Sequence, residues 1–175
     1  MFNKTKRLIL LGSLLIFMGL LSACETMLHS RPGTTTTVIM IRHADRTPSG
    51  SELTPRGRKN AKALVAAIGD MKIDAIYSPD MVRNLDTVKP LAKHLAIKVT
   101  KVSDEPNTHD IAITFTGEQS GKTVLWVGNT TNIPGIYYAL GGKGESPVEY
   151  GDLFILTVPD KGNTKVDKRT WGDNK

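Results

Sequence analysis

Apolar residues fall in short blocks along this chain, and their spacing changes from one end to the other. The first block, Leu8 to Leu21, is relieved only by Gly12, Ser13 and Gly19 and follows Lys4, Lys6 and Arg7. It is shorter than the roughly 20 apolar residues that a helix needs to cross a hydrocarbon core. A basic start, an apolar middle and a close on Ser22-Ala23 predict a signal peptide over residues 1–23, removed on export.

The blocks that follow are shorter and read differently. Thr36 to Ile41 is β-branched and nearly all apolar, which predicts a strand buried on both faces. Thr54-Pro55 then starts a helix, Thr54 as N-cap and Pro55 at the first helical position, with Ala61, Leu64, Val65 and Ile68 as its inward stripe and Gly69 as its stop. Asp74 to Tyr77 predicts a second strand, Ser78-Pro79-Asp80 a turn into a helix ending near Leu95, and Ile97 to Val102 a third strand. Asp110 to Thr116 fits a helix, although Ile111, Ile113 and Phe115 also alternate as along a strand. Lys122 to Val127 reads as a buried strand, Ile133 to Leu140 as a helix stopped by Gly141-Gly142, and Asp152 to Val158 as a closing strand. This alternation predicts an α/β fold, a three-layer α/β/α sandwich around a mostly parallel sheet, spanning residues 36–158. Residues 24–35, with Pro32-Gly33 and the threonines Thr34 to Thr37, read as a tether into it. The polar tail of residues 159–175 adds an edge strand or frays.

Charge and cysteine usage narrow the function classes. Loss of residues 1–23 leaves 152 of the 175 residues, enough for one domain with a core, and takes Lys4, Lys6 and Arg7, so the formal charge falls from +6 to +3. That balance, with no basic run interleaved with aromatics, argues against nucleic acid. The only cysteine, Cys24, rules out an internal disulfide. The histidines are scattered and the thiol is set apart, so no metal site is expected; no Walker or dinucleotide glycine pattern follows a strand, so no nucleotide cofactor is expected either.

Leu21-Ser22-Ala23-Cys24 resembles the lipobox of bacterial lipoproteins, which implies that Cys24 is acylated and becomes the first mature residue. Lipid chains contribute about 0.8 kcal/mol per buried methylene, so an acylated Cys24 would hold the domain to a membrane. Glu25 stands where aspartate favours inner-membrane retention. The resemblance therefore implies the outer membrane, periplasmic face, in a diderm cell.

Ligands of open α/β sheets bind beyond the carboxyl ends of the strands. Those ends carry Arg42-His43-Ala44-Asp45-Arg46, Ser78 with Arg83, and Gly128-Asn129-Thr130-Thr131-Asn132. Val38 to Asp45, Leu53-Thr54-Pro55-Arg56-Gly57-Arg58, Ile76-Tyr77-Ser78-Pro79 with Arg83 and Thr87, and Val124 to Gly128 together resemble the ordered motifs of the histidine phosphatase superfamily, the phosphoglycerate-mutase-like fold. The resemblance implies that His43 is a nucleophile forming a phosphohistidine, that Arg42 and Arg83 hold the phosphoryl group, and that a carboxylic acid protonates the leaving oxygen. Guanidinium forks match phosphate bidentately, and phosphoryl transfer depends on positioning and fixed charge. Glu105 is favoured as the acid, with Asp104 and Asp45 as alternatives; Asp45 could instead pair with Arg46. Arg56 and Arg58 are expected to be solvated, and His29, His94 and His109 to lie on the surface.

One departure stands out. Where the family carries a second histidine after Val-Gly, this chain has Asn129; Asp86 replaces a common glutamine. An asparagine can donate a hydrogen bond to phosphate but brings no charge. Losing one preorganised donor costs on the order of 3–4 kcal/mol at a transition state. Two expectations follow: a slow or specialised phosphatase acting on a phosphorylated small molecule or envelope component, or a catalytically silent protein that binds a phosphorylated or anionic ligand at the membrane surface. A mutase is disfavoured by the shortness of the chain. The loops Thr47 to Glu52 and Lys101 to Asp110 would set specificity.

Overall fold

In the computed structural model, residues 27–173 are described, so the apolar leader, Cys24 and the last two residues lie outside them. Six strands and four helices alternate in the order β1 (Thr35–Arg42), α1 (Pro55–Ile68), β2 (Ala75–Pro79), α2 (Val82–Leu95), β3 (Val99–Val102), α3 (Thr108–Thr116), β4 (Thr123–Gly128), α4 (Ile133–Ala139), β5 (Asp152–Pro159) and β6 (Lys165–Thr170). They form one mixed sheet ordered β3-β2-β4-β1-β5-β6. The four strands from β3 to β1 pair in parallel, and β5 pairs antiparallel with both β1 and β6.

The pleat of β1 divides the core in two. Ile39 and Ile41 pack with Ala61, Leu64 and Ile68 of α1 and Val88, Leu91 and Ala92 of α2. Val38 and Met40 face the other way, onto Ile111 and Phe115 of α3 and Ile133, Ile136 and Tyr137 of α4. This is the expected three-layer sandwich. All four β1 side chains are fully buried, as a strand covered by helices on both faces requires.

The helices that follow β1 and β4 therefore leave on opposite faces of adjacent strands. A crevice opens between them at their carboxyl ends, where Arg42 is registered against Gly128. Two glycines permit the close packing there. A Cβ on Gly57, in the first turn of α1, would lie 2.1 Å from the Asp45 carbonyl oxygen, and one on Gly128 would lie 2.4 Å from Trp126 Nε1 and 2.5 Å from Asn132 Oδ1.

Local signals account for the boundaries. Thr54 caps α1 by accepting from Gly57 N–H, with Pro55 in the first turn, and Gly69 follows the last helical residue. The ambiguous segment of residues 110–116 is helical. Asn107 caps it, and Ile111, Ala112, Phe115 and Thr116 are buried at helical spacing while Ile113 points outward. β2 starts one residue later than expected and runs on to Pro79. Of the two readings of the tail, the edge strand is the one observed: β6 pairs along β5, and Trp171 beyond it is buried in the α1/α2 core.

Residues 24–35 were expected to be a tether, yet from Leu28 onward the segment is fastened to the base of the sheet. Leu28 N–H donates to Ala139 O, Ser30 N–H to Pro159 O, and the buried Ser30 hydroxyl to Thr36 Oγ1 and Val158 O. Gly33 N–H reaches Asp160. Among the described residues, no helix is long and apolar enough to cross a membrane.

Candidate active site

β1 ends by delivering Arg42 and His43 into the crevice. His43 is nearly fully buried, its N–H bonded to Gly128 O at 3.0 Å. Its Nδ1 lies 2.8 Å from Ala44 O. A carbonyl only accepts, so Nδ1 carries the proton. Burial is the main cause of a ring pKa lowered from 6.5 to about 4; the Ala44 bond opposes it, and the charges of Arg42, Arg83 and Arg46 reinforce it. At neutral pH the imidazole is therefore uncharged, with its lone pair on Nε2. That is the tautomer and protonation state a nitrogen nucleophile needs.

Side chains of α2 hold the end of β4 against this one. Thr87 Oγ1 accepts from Ala44 N–H at 2.8 Å and donates to Arg83 O, while Asn84 Nδ2 donates to Val127 O. These bonds fix the first turn of α2, and with it Arg83, relative to the ends of β1 and β4. Burial and the nearby charges of Arg46 and Arg42 lower the pKa of Arg83, whereas Tyr150 raises it. Arg42 donates from Nη1 to Val148 O at 3.0 Å, and its guanidinium carbon sits 3.9 Å from the centroid of the Tyr150 ring. The Nε atoms of Arg42 and Arg83 are buried without a partner among the described residues.

Asn129 is buried where the second histidine was expected. Its N–H donates to Asn132 Oδ1, its Nδ2 to the Met81 sulfur at 3.4 Å, and its Oδ1 has no partner among the described residues.

The structure gathers Arg42, His43 and Arg83 at one crevice, with Asn129 following the residue opposite Arg42. It does not gather the carboxylates. Asp45, expected as an alternative acid or as a partner of Arg46, is buried and accepts from Arg56 and from Asn60 Nδ2. Arg56 is exposed, as expected, and also serves as the ion-pair partner of Asp45. Arg46 turns instead onto the carbonyls of Thr47, Pro48 and Gly50 and closes the loop that follows. Glu105 and Asp104 are exposed in a turn after β3, where Glu105 N–H bonds Ser103 Oγ and Asp104 Oδ1. β3 stands three strands from β1, roughly 14 Å at normal strand spacing. The charges that act on His43 are arginines, with no carboxylate among them. His29, His94 and His109 are exposed.

Two neighbours of the site escaped the sequence analysis. Tyr150 sits in a Gly- and Glu-rich loop with no periodicity to mark it; an aromatic in a polar loop just before a strand was the available signal. Arg46 was visible as a cation beside Arg42-His43, but not its reach toward Arg83.

The sequence profile of the histidine phosphatase superfamily (branch 1) matches residues 36–113, the segment that carries Arg42, His43 and Arg83. Among solved structures, the fold is similar to a phosphoglycerate mutase from Bacillus anthracis (TM-score 0.59, 15% identity, covering 78% of this chain and 93% of that one). It is also similar to a mycobacterial glucosyl-3-phosphoglycerate phosphatase (TM-score 0.58, 15% identity, 80% and 100%). A third likeness is to the protein histidine phosphatase SixA complexed with tungstate (TM-score 0.56, 17% identity, 77% and 96%). No curated protein sequence matches the chain.

Proposed function

Because the chain belongs to the histidine phosphatase superfamily, we propose that it is a phosphomonoesterase working through a phosphohistidine at His43. One observation carries this reading: the Nδ1–Ala44 O bond on a ring that is neutral at physiological pH leaves Nε2 as the available nucleophile, beside guanidinium groups that suit a phosphoryl dianion. Nε2 attacks phosphorus, the ester oxygen departs and takes up a proton, and water then attacks the phosphohistidine to release phosphate and restore the ring. Arg42 and Arg83 stabilise the charge on the transferring oxygens. Glu105 would have to swing in with its loop to serve as the proton donor. With Asn129 adding no charge, turnover is slow.

A second reading is favoured by a specific observation. The charges acting on His43 are all cationic, and Asp45 is committed to Arg56. A site of that kind holds an anion well without a resident acid to expel an alkoxide, and the protein would then bind a phosphorylated or anionic ligand. Hydrolysis of p-nitrophenyl phosphate decides between them. The first reading expects weak activity that His43→Ala abolishes; activity surviving in His43→Ala would overturn the nucleophile, and a tungstate-induced rise in Tm without turnover would select the second.

We also propose that Cys24 is acylated and holds the domain at the envelope, facing a phosphorylated small molecule or envelope component. The fastened segment from Leu28 to Thr34 would then bring the lipid in at the base of the sheet. The eight residues of β1, roughly 25 Å of strand, separate that base from His43, so the site opens away from the anchoring leaflet. Cys24→Ser should lose radioactive palmitate and leave the membrane fraction; a labelled Cys24→Ser protein would contradict the anchor.

A further inference from the structure

Tyr150 belongs to none of the motifs, yet it touches both residues that β1 delivers. The Arg42 guanidinium stacks on its ring at 3.9 Å, and the His43 ring meets it edge-on at 5.7 Å with planes 62° apart. Tyr150 is also near enough to Arg83 to count among the groups that set its pKa. The same loop supplies Val148 O, which accepts from Arg42 Nη1. Arg42 is thus held twice by one short stretch of chain, once by a carbonyl and once by an aromatic face.

A phenylalanine would serve for stacking, so the hydroxyl calls for its own account. Tyr150 is half-buried, and its hydroxyl makes no hydrogen bond to a described residue. The charged side chains that stack on it or lie near it on the crevice side are Arg42 and Arg83, which only donate. The phenol proton therefore finds no side-chain acceptor among those cations, and an oxyanion held by the same arginines is the acceptor the chemistry supplies. At the β4 corner Asn129 offers a neutral amide where a charged imidazole was expected.

We propose that Tyr150 is a phosphate-site residue: its ring fixes the plane of the Arg42 guanidinium, and its hydroxyl donates to an oxygen of the bound phosphoryl group. The proposal rests on the phosphate-site reading given above. Ring and hydroxyl act separately, so they can be separated by mutation. Cation–π contact orients the guanidinium before ligand arrives, whereas the hydroxyl bond exists only with the anion present.

The test uses the full chain in detergent, with p-nitrophenyl phosphate kinetics and tungstate titration followed by Tm, on the parent, Tyr150→Phe and Tyr150→Leu. Tyr150→Phe should keep the ligand-free Tm while tungstate affinity and kcat each fall about tenfold, the scale of one lost bond to a charged group. Tyr150→Leu should fall further, mainly in KM, because Arg42 loses its platform. Tyr150→Phe equal to the parent in both readouts would overturn the hydroxyl's role, and Tyr150→Leu equal as well would overturn the proposal. A parent that binds tungstate through the Tyr150 hydroxyl without turnover would uphold the proposal while the phosphatase reading fails. A parent with neither binding nor turnover would overturn both.

Discussion

Two adjacent strand ends meet at the crevice, and they are built differently. At the end of β1, the His43 N–H, its Nδ1 and the next N–H all have partners, in Gly128 O, Ala44 O and Thr87 Oγ1, so the ring has one orientation and one tautomer. At the end of β4, Trp126 Nε1, Asn129 Oδ1 and Asn132 Nδ2 are buried with no hydrogen-bond partner among the described residues. An unsatisfied buried polar group costs about 1–3 kcal/mol. The His43 ring is thus held in one orientation, whereas the β4 corner, where a histidine was expected, carries buried polar atoms without a described partner. The difference teaches that the proposed nucleophile and the Asn129 corner can be perturbed separately, because they stand at the ends of different strands.

The comparison breaks most visibly at Arg83, which α2 brings to the nucleophile's side. Arg83→Ala should lower kcat/KM roughly a thousandfold, within the range for a transition-state arginine, and should abolish tungstate stabilisation; a tenfold loss or less would mean that the β1 corner does not hold the phosphoryl group.

Protonation probes the same corner. An unfolded histidine titrates near 6.5 and the folded ring at about 4, so between those values the unfolded chain binds more protons and stability falls as pH drops. The loss reaches about 3 kcal/mol by pH 4, and His43→Gln should lack it. Urea unfolding of the two proteins from pH 7 to pH 4 measures the difference. A gap that does not change with pH would mean that the ring is not buried neutral. Hydrolysis should fail over the same acid limb as the nucleophile gains its proton.

Asn129→His sharpens the other side. Restoring a charged donor at the β4 corner should raise kcat roughly tenfold to a hundredfold, less than the full value of one preorganised donor, with little change in tungstate affinity. A parent and an Asn129→His variant both without turnover would remove the enzyme reading and leave the anion binder. The smallest effect is expected at Thr87→Val, which strands the buried Ala44 N–H and should cost about 2 kcal/mol of stability. Its kcat should fall as well, since Arg83 loses the bond that ties α2 to β1; unaltered kcat would show that Thr87 serves packing alone.

Much of this was legible in the sequence, for physical reasons that differ by element. β1 announced itself because a strand covered on both faces admits almost nothing but apolar residues, and Thr54-Pro55 announced α1 because capping chemistry is local. Arg42, His43 and Arg83 could be assembled because strand ends and helix starts converge at a crevice that topology alone locates. The tail was ambiguous because β6 is an edge strand with little buried surface, so its residues carry no alternation. Asp45 and Arg56 could not be paired in advance, since their contact depends on how α1 packs against the turn after His43 at Gly57. Tyr150 was invisible for a similar reason: its partners lie more than a hundred residues earlier, and no local pattern marks a loop aromatic that stacks on an arginine.

The central claim is that His43 accepts the phosphoryl group. Incubating the full chain with p-nitrophenyl phosphate, quenching in alkali and mapping peptides by mass spectrometry tests it directly. The account predicts one acid-labile phosphoryl group on His43, more abundant in the parent than in Asn129→His if the altered β4 corner slows hydrolysis of the intermediate. Turnover with no phosphoryl group on His43 in either protein, or with one on another residue, would contradict it.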